Sequence, residues 1–136
     1  MSDPRTKPAG FVVFGHGSSV ESANDAVRAM AAELARRGPH PVETAFLESG
    51  RPDLRGAVEA LAGRGVRHVI VIPYFLTLGV HLQRDLPRLV QELRALHPGL
   101  EVQVTPPLDG HPALIDAVLG RAAEAAEGKP GASEAD

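Results

Sequence analysis

The chain has 136 residues, 43% of them hydrophobic and 23% charged, with a formal net charge of −3 and no cysteine. That length carries one domain with a real core, and the missing cysteines exclude disulfides and thiolate metal ligands. The acidic balance argues against a nucleic-acid partner, no apolar run nears the roughly 20 residues of a membrane helix, and residues 1–9 lack the apolar centre of a signal peptide; the expectation is a cytoplasmic protein.

In chain order, residues 1–9 hold Pro4, Pro8 and several charges and read as a flexible N-terminal arm. Residues 11–15 form a short Val/Phe run ended by glycine, the pattern of a buried strand. The turn Gly15-His16-Gly17-Ser18-Ser19 follows, where the glycines let the backbone bend around an imidazole and either serine can cap the next helix. Val20, Ala23, Val27, Met30, Ala31 and Leu34 then recur at helical spacing over 19–37, and Arg36-Arg37-Gly38-Pro39 is a helix stop. Strand two spans 42–47 and runs into Glu48-Ser49-Gly50. Pro52 suits a helix start, and Leu54, Val58, Leu61 and Ala62 give the second helix its stripe.

Residues 68–73 are the most apolar strand candidate, as expected for one buried on both faces. A long turn over 74–81 leads to a third helix at about 82–96, striped by Leu82, Leu86, Leu89, Val90 and Leu93. Strand four covers 100–105 and stops at Pro106-Pro107. Leu114, Ile115, Val118 and Leu119 mark a fourth helix over 111–126, and residues 127–136 read as a disordered C-terminal tail. The expected α/β domain therefore covers 10–126. Four strand–helix alternations imply a four-stranded parallel sheet with helices on both faces, in the flavodoxin-like order 2-1-3-4. Strands one and three are then neighbours, and the crevice at their carboxyl ends is where such sheets bind ligands.

That topology sorts the six histidines. His40, His68 and His97 fall at the amino edge or at a helix end, as structural or exposed residues. His111 precedes Pro112 in a capping position. His16 and His81 both fall at the carboxyl edge, beside the switch-point crevice. Two neutral imidazoles hold a divalent first-row metal when a carboxylate or water completes the site, and Glu48, after strand two, is placed to supply the carboxylate. A site with two histidines and no thiolate holds metal loosely, which suits passing it on.

The segments Gly15-His16-Gly17-Ser18, Glu43-Thr44-Ala45-Phe46-Leu47-Glu48, Ile72-Pro73-Tyr74-Phe75-Leu76-Thr77-Leu78-Gly79-Val80-His81 and Pro106-Pro107-Leu108 resemble, in order and spacing, the small class II chelatases. The likeness to this sirohydrochlorin cobaltochelatase and ferrochelatase group covers roughly 11–126. It implies insertion of Co²⁺, Fe²⁺ or Ni²⁺ into sirohydrochlorin, a carboxylate-rich tetrapyrrole, on the way to sirohaem or cobalamin. The metal is then a substrate, with no cofactor permanently bound, and the small members pair as homodimers. The family's metal-site residues match His16, His81 and Glu48. A basic residue that often follows the Gly-His-Gly-Ser motif is Ser19 here, and a lysine often found after the second histidine is replaced by Gln83-Arg84. Ser18, Ser19 and Arg84 are therefore the candidate donors to substrate carboxylates. The main alternative is a non-catalytic protein that binds or delivers metal or tetrapyrrole. A hydrolase or phosphotransferase with a His16 nucleophile is weaker, because no arginine lies in the ten residues after it.

Overall fold

The computed structural model describes residues 8–75 and 79–128, with the side chains of Val80 and His81 outside that description. The elements alternate as expected: β1 (Ala9–Gly15), α1 (Glu21–Arg37), β2 (Val42–Phe46), α2 (Leu54–Gly63), β3 (His68–Pro73), α3 (Val80–Leu96), β4 (Glu101–Val104) and α4 (Pro112–Ala126). All strand pairs are parallel, and the order is β2-β1-β3-β4. β1 thus lies between β2 and β3, and the loops leaving all three rise from one edge.

Alternation along the strands sends residues to two faces. Val12 and Phe14 of β1, Ala45 of β2, Val69 and Val71 of β3 and Val102 of β4 join the buried core. Leu54, Val58 and Leu61 of α2 and Leu82, Leu86, Val90 and Leu93 of α3 close over them. On the other face α1 packs against β1 and β2. There the Arg28 guanidinium sits 5.1 Å above the Phe46 ring.

Several boundaries differ from the sequence reading for definable reasons. Ala9 opens β1, and the Pro8 carbonyl accepts hydrogen bonds from Arg67 and His68 N–H, at 2.8 and 3.0 Å, so the last residues of the expected arm belong to the sheet. The rest of that arm, 1–7, and the tail over 129–136 lie outside the described residues. α2 is started by Asp53, whose carboxylate accepts from Gly56 N–H at 2.9 Å, one residue beyond Pro52. α3 starts at Val80, with Gly79 at its N-cap, so His81 lies in the first helical turn and not in the loop before it.

α4 departs furthest. Its stripe implied a helix resting on the sheet, yet no residue of α4 is buried, and Ile115, Val118 and Leu119 stand exposed. Periodicity reports that a helix has an apolar face, not where that face docks.

Candidate active site

The site is built where β1 and β2 end. Beyond the strands proper, Leu47 N–H donates to Gly15 O and Glu48 N–H to His16 O, both at 3.0 Å. This ladder carries His16 and Glu48 side by side above the sheet. Gly17 then turns the chain with φ +93°, and a Cβ there would lie 1.6 Å from the Glu48 carbonyl oxygen. Only glycine lets the two loops approach so closely. Gly15 has an ordinary backbone, contrary to the expectation of a paired glycine turn, and packs against Val27 and Phe46.

The expected serine caps are not formed. Val20 is the N-cap of α1 and receives no side-chain cap bond. Ser18 Oγ accepts from Val20 N–H at 3.0 Å, tightening the turn before the helix. The residue that organises this loop is Asn24, on the inner face of the first turns of α1 and 1% exposed. Its Oδ1 accepts from Ser18 N–H at 2.9 Å, and its amide donates to Ser18 O at 2.8 Å and to Ser49 O at 3.0 Å. One buried amide therefore ties the loop carrying His16 to the loop carrying Glu48. The signal was present in sequence: Asn24 stands three residues before Val27 and seven before Ala31, a polar group on an apolar stripe, where it must find partners.

His16 Nδ1 lies 3.7 Å from Glu48 Oε1, and their side chains are 57% and 63% exposed. The same nitrogen is 3.3 Å from the Gly17 carbonyl. The imidazole meets the Phe75 ring edge-on at 6.3 Å between centroids, and Phe75 in turn packs edge-on against Phe14. Phe75, just beyond β3, buttresses the imidazole from the side of its neighbouring strand, a role that its place in the 72–81 motif does not announce. Of the three expected metal-site residues, His16 and Glu48 are brought together. His81 lies in the first turn of α3, the helix that follows β3, and its side chain is outside the described residues. Arg84 is exposed one turn further along that helix, at the i+3 spacing that shares a face with His81. Among the described residues no cluster of three or more candidate ligands forms.

The other histidines take structural places. His111 caps α4, its Nδ1 accepting from Ala113 N–H at 3.0 Å. His40 lies tilted against the Phe11 ring, His68 bonds Gln103, and His97 ends α3 beside Glu59.

A family model described as CbiX matches residues 10–125. The chain belongs to the CbiX family. Among its relatives, a sirohydrochlorin cobaltochelatase of Methanococcoides burtonii is 32% identical over 124 residues, covering 85% of this chain and 95% of its own. A chloroplastic sirohydrochlorin ferrochelatase of Arabidopsis thaliana is 28% identical over 113 residues, 82% of this chain and 50% of its own. A crystal structure described as a CbiX protein of cobalamin (vitamin B12) biosynthesis, from Marinobacter aquaeolei, superposes with a TM-score of 0.79 at 28% identity, covering 88% of this CbiX chain and 98% of that one. Among the described residues no helix is long and apolar enough to cross a membrane.

Proposed function

We propose that this CbiX protein is a sirohydrochlorin chelatase, a lyase that inserts a divalent first-row metal into a tetrapyrrole of the sirohaem or cobalamin routes. Co²⁺ and Fe²⁺ are the principal candidates and Ni²⁺ a third, since nitrogen and oxygen donors suit all three. The reading includes a cytoplasmic homodimer. The observation that carries it is the His16–Glu48 pair, held adjacent by backbone hydrogen bonds and open to solvent at the strand ends. An imidazole and a carboxylate in an open setting can reach a flat macrocycle.

The geometry suggests how the roles divide. A carbonyl oxygen 3.3 Å from His16 Nδ1 repels a lone pair and attracts a proton there. Nδ1 is then the N–H, facing Gly17 O and the Glu48 carboxylate, and Nε2 carries the lone pair that meets the metal. Metal-bound imidazoles commonly give their second N–H to a carboxylate or carbonyl in this way, which fixes the ring. His81, from the first turn of α3, is the second metal ligand. Insertion releases two pyrrole protons, and a nitrogen holding metal cannot take one. Glu48 is the acceptor, directly or through water. Direct metal ligation by Glu48 fits less well, because its carboxylate faces the N–H side of the ring.

The substrate's carboxylates need donors. The Ser18 and Val20 amides are engaged within the loop, and the candidates are the Ser18 and Ser19 hydroxyls and, on α3, Arg84. The test mixes sirohydrochlorin and Co²⁺ with the protein and follows absorbance against a protein-free control. His16→Ala and His81→Ala should each abolish the protein-dependent rate while leaving circular dichroism unchanged. A wild-type rate equal to the control would favour a binding or delivery protein, and full activity in either variant would remove that histidine from the site.

A further inference from the structure

A carboxylate-rich substrate has to be met by cations, yet the chain is acidic, with a formal net charge of −3. Most of the described arginines are already paired with nearby carboxylates. At the edge bearing His16 and Glu48, Arg28 is held by Glu21 and Asp25 while its guanidinium lies above the Phe46 ring. Arg51 is different. It follows Glu48 by three residues, is exposed, and its guanidinium has no ion pair or hydrogen bond to any described residue.

The loop that carries Arg51 is fixed. Phe46 N–H donates to Pro52 O at 2.9 Å, which closes residues 47–51 at their base. Asn24 donates to Ser49 O at 3.0 Å, and the Arg28 guanidinium donates to Arg51 O at 3.4 Å. Gly50 lies against the Phe46 ring, where a Cβ would come within 2.8 Å of it. Asp53, a carboxylate two residues away, is used to cap α2 through Gly56 N–H. The Arg51 main chain is thus anchored, and the residue lines an open hollow of about 830 Å³ between this loop and the start of α2. One closed loop carries Glu48 and Arg51 with their Cα atoms no more than about 11 Å apart, the extended reach of three residues.

We propose that Arg51 is a substrate-recognition residue, whose guanidinium takes a peripheral carboxylate of the tetrapyrrole while His16 and Glu48 act at its centre. A planar guanidinium matches a carboxylate with two parallel N–H donors. The anchored main chain lowers the ordering cost of that contact. Glu48 repels an anionic substrate, and a cation on the same loop offsets the repulsion. Arg51 therefore sets affinity for macrocycles with acids on their rim, and it does so without touching the pyrrole nitrogens. The assignment deepens the chelatase reading and rests on it for the identity of the ligand.

The test compares the wild type with Arg51→Gln, Arg51→Lys and Arg67→Gln, the last removing an exposed cation at the opposite, amino edge of the sheet. All three change exposed side chains, and urea midpoints check that the fold is kept. Sirohydrochlorin is titrated without metal, by its own fluorescence, for Kd, and Co²⁺ insertion gives KM and kcat. Arg51→Gln should raise Kd and KM together by about threefold to tenfold, with kcat unchanged. Arg51→Lys should fall between it and the wild type, and Arg67→Gln should match the wild type. Arg51→Gln should also weaken the salt dependence of Kd. An unchanged Kd in folded Arg51→Gln, or an equal rise in Arg67→Gln, overturns the assignment. A wild type that binds sirohydrochlorin but inserts no metal overturns the chelatase reading alone, since Kd still reads Arg51. A wild type that does not bind it overturns both.

Discussion

Replacing Asn24 with alanine isolates what one buried amide does for the site. Three hydrogen bonds of 2.8–3.0 Å, to Ser18 N–H, Ser18 O and Ser49 O, are lost together. Each is worth a net 0.5–1.5 kcal/mol, and the part-buried loop groups are only partly rehydrated, so the loss should be about 3 kcal/mol. For a domain of this size that lowers Tm by roughly 10 °C. Asn24→Asp is the sharper comparison. It keeps the acceptor for Ser18 N–H, but it sets a carboxylate against two carbonyls and beside Glu21, so it should be at least as damaging as alanine. Urea unfolding with an unchanged slope reads the loss directly. Metal insertion should fall further than stability alone explains, through kcat, because the His16 and Glu48 loops are no longer tied. An alanine variant within about 0.5 kcal/mol of wild type, or an Asn24→Asp variant as stable as the parent, would refute the clamp.

Gly17→Ala should cost about 1–3 kcal/mol for the left-handed backbone alone, and more because its Cβ collides with the Glu48 carbonyl; thermal melts and insertion rates check both effects. Glu48→Gln should lower kcat for insertion with little change in KM for sirohydrochlorin, and an unchanged kcat would take Glu48 out of proton removal. The Glu21 carboxyl is held below its ordinary value of 4.5, first by the hydrogen bond from Arg28 and then by that from Asn24. A lowered value in the fold means its contribution is full above the ordinary value and is lost as acid takes the pH down through the folded value. Glu21→Gln should therefore flatten the acid limb of stability measured from about pH 6 to 3.

Much of this architecture was legible because its determinants are local. The run 68–73 matches β3 to the residue, since its unbroken Val-Ile-Val-Ile segment lies between two strands and stops at Pro73. Burial alternates along it, however, and only Val69, Val71 and Pro73 are fully buried, not both faces as the apolar run implied. Strand order followed from alternation and crossover handedness, and with it the placing of His16 and Glu48 at one edge. Residues that act across the fold were not legible in the same way. Asn24 makes its decisive contact with Ser49, twenty-five positions away, and a single polar residue on a stripe does not announce its partner. Ser18 and Ser19 looked like caps because their type suits the role, but the helix begins one residue later, after Val20. The α4 stripe showed an apolar face and gave no address for it.

The paired loops have a consequence for how far His16 and Glu48 can be moved apart. The gap between the His16 and Glu48 main chains is set by adjacent parallel strands, which run about 4.8 Å apart whatever side chains they carry. Reach across that gap can change only by the length of the side chains themselves, one methylene at a time, so replacing Glu48 with aspartate would fall short by about a bond length. The first turn of α3, which carries His81, is under no such constraint, because no strand register dictates its position.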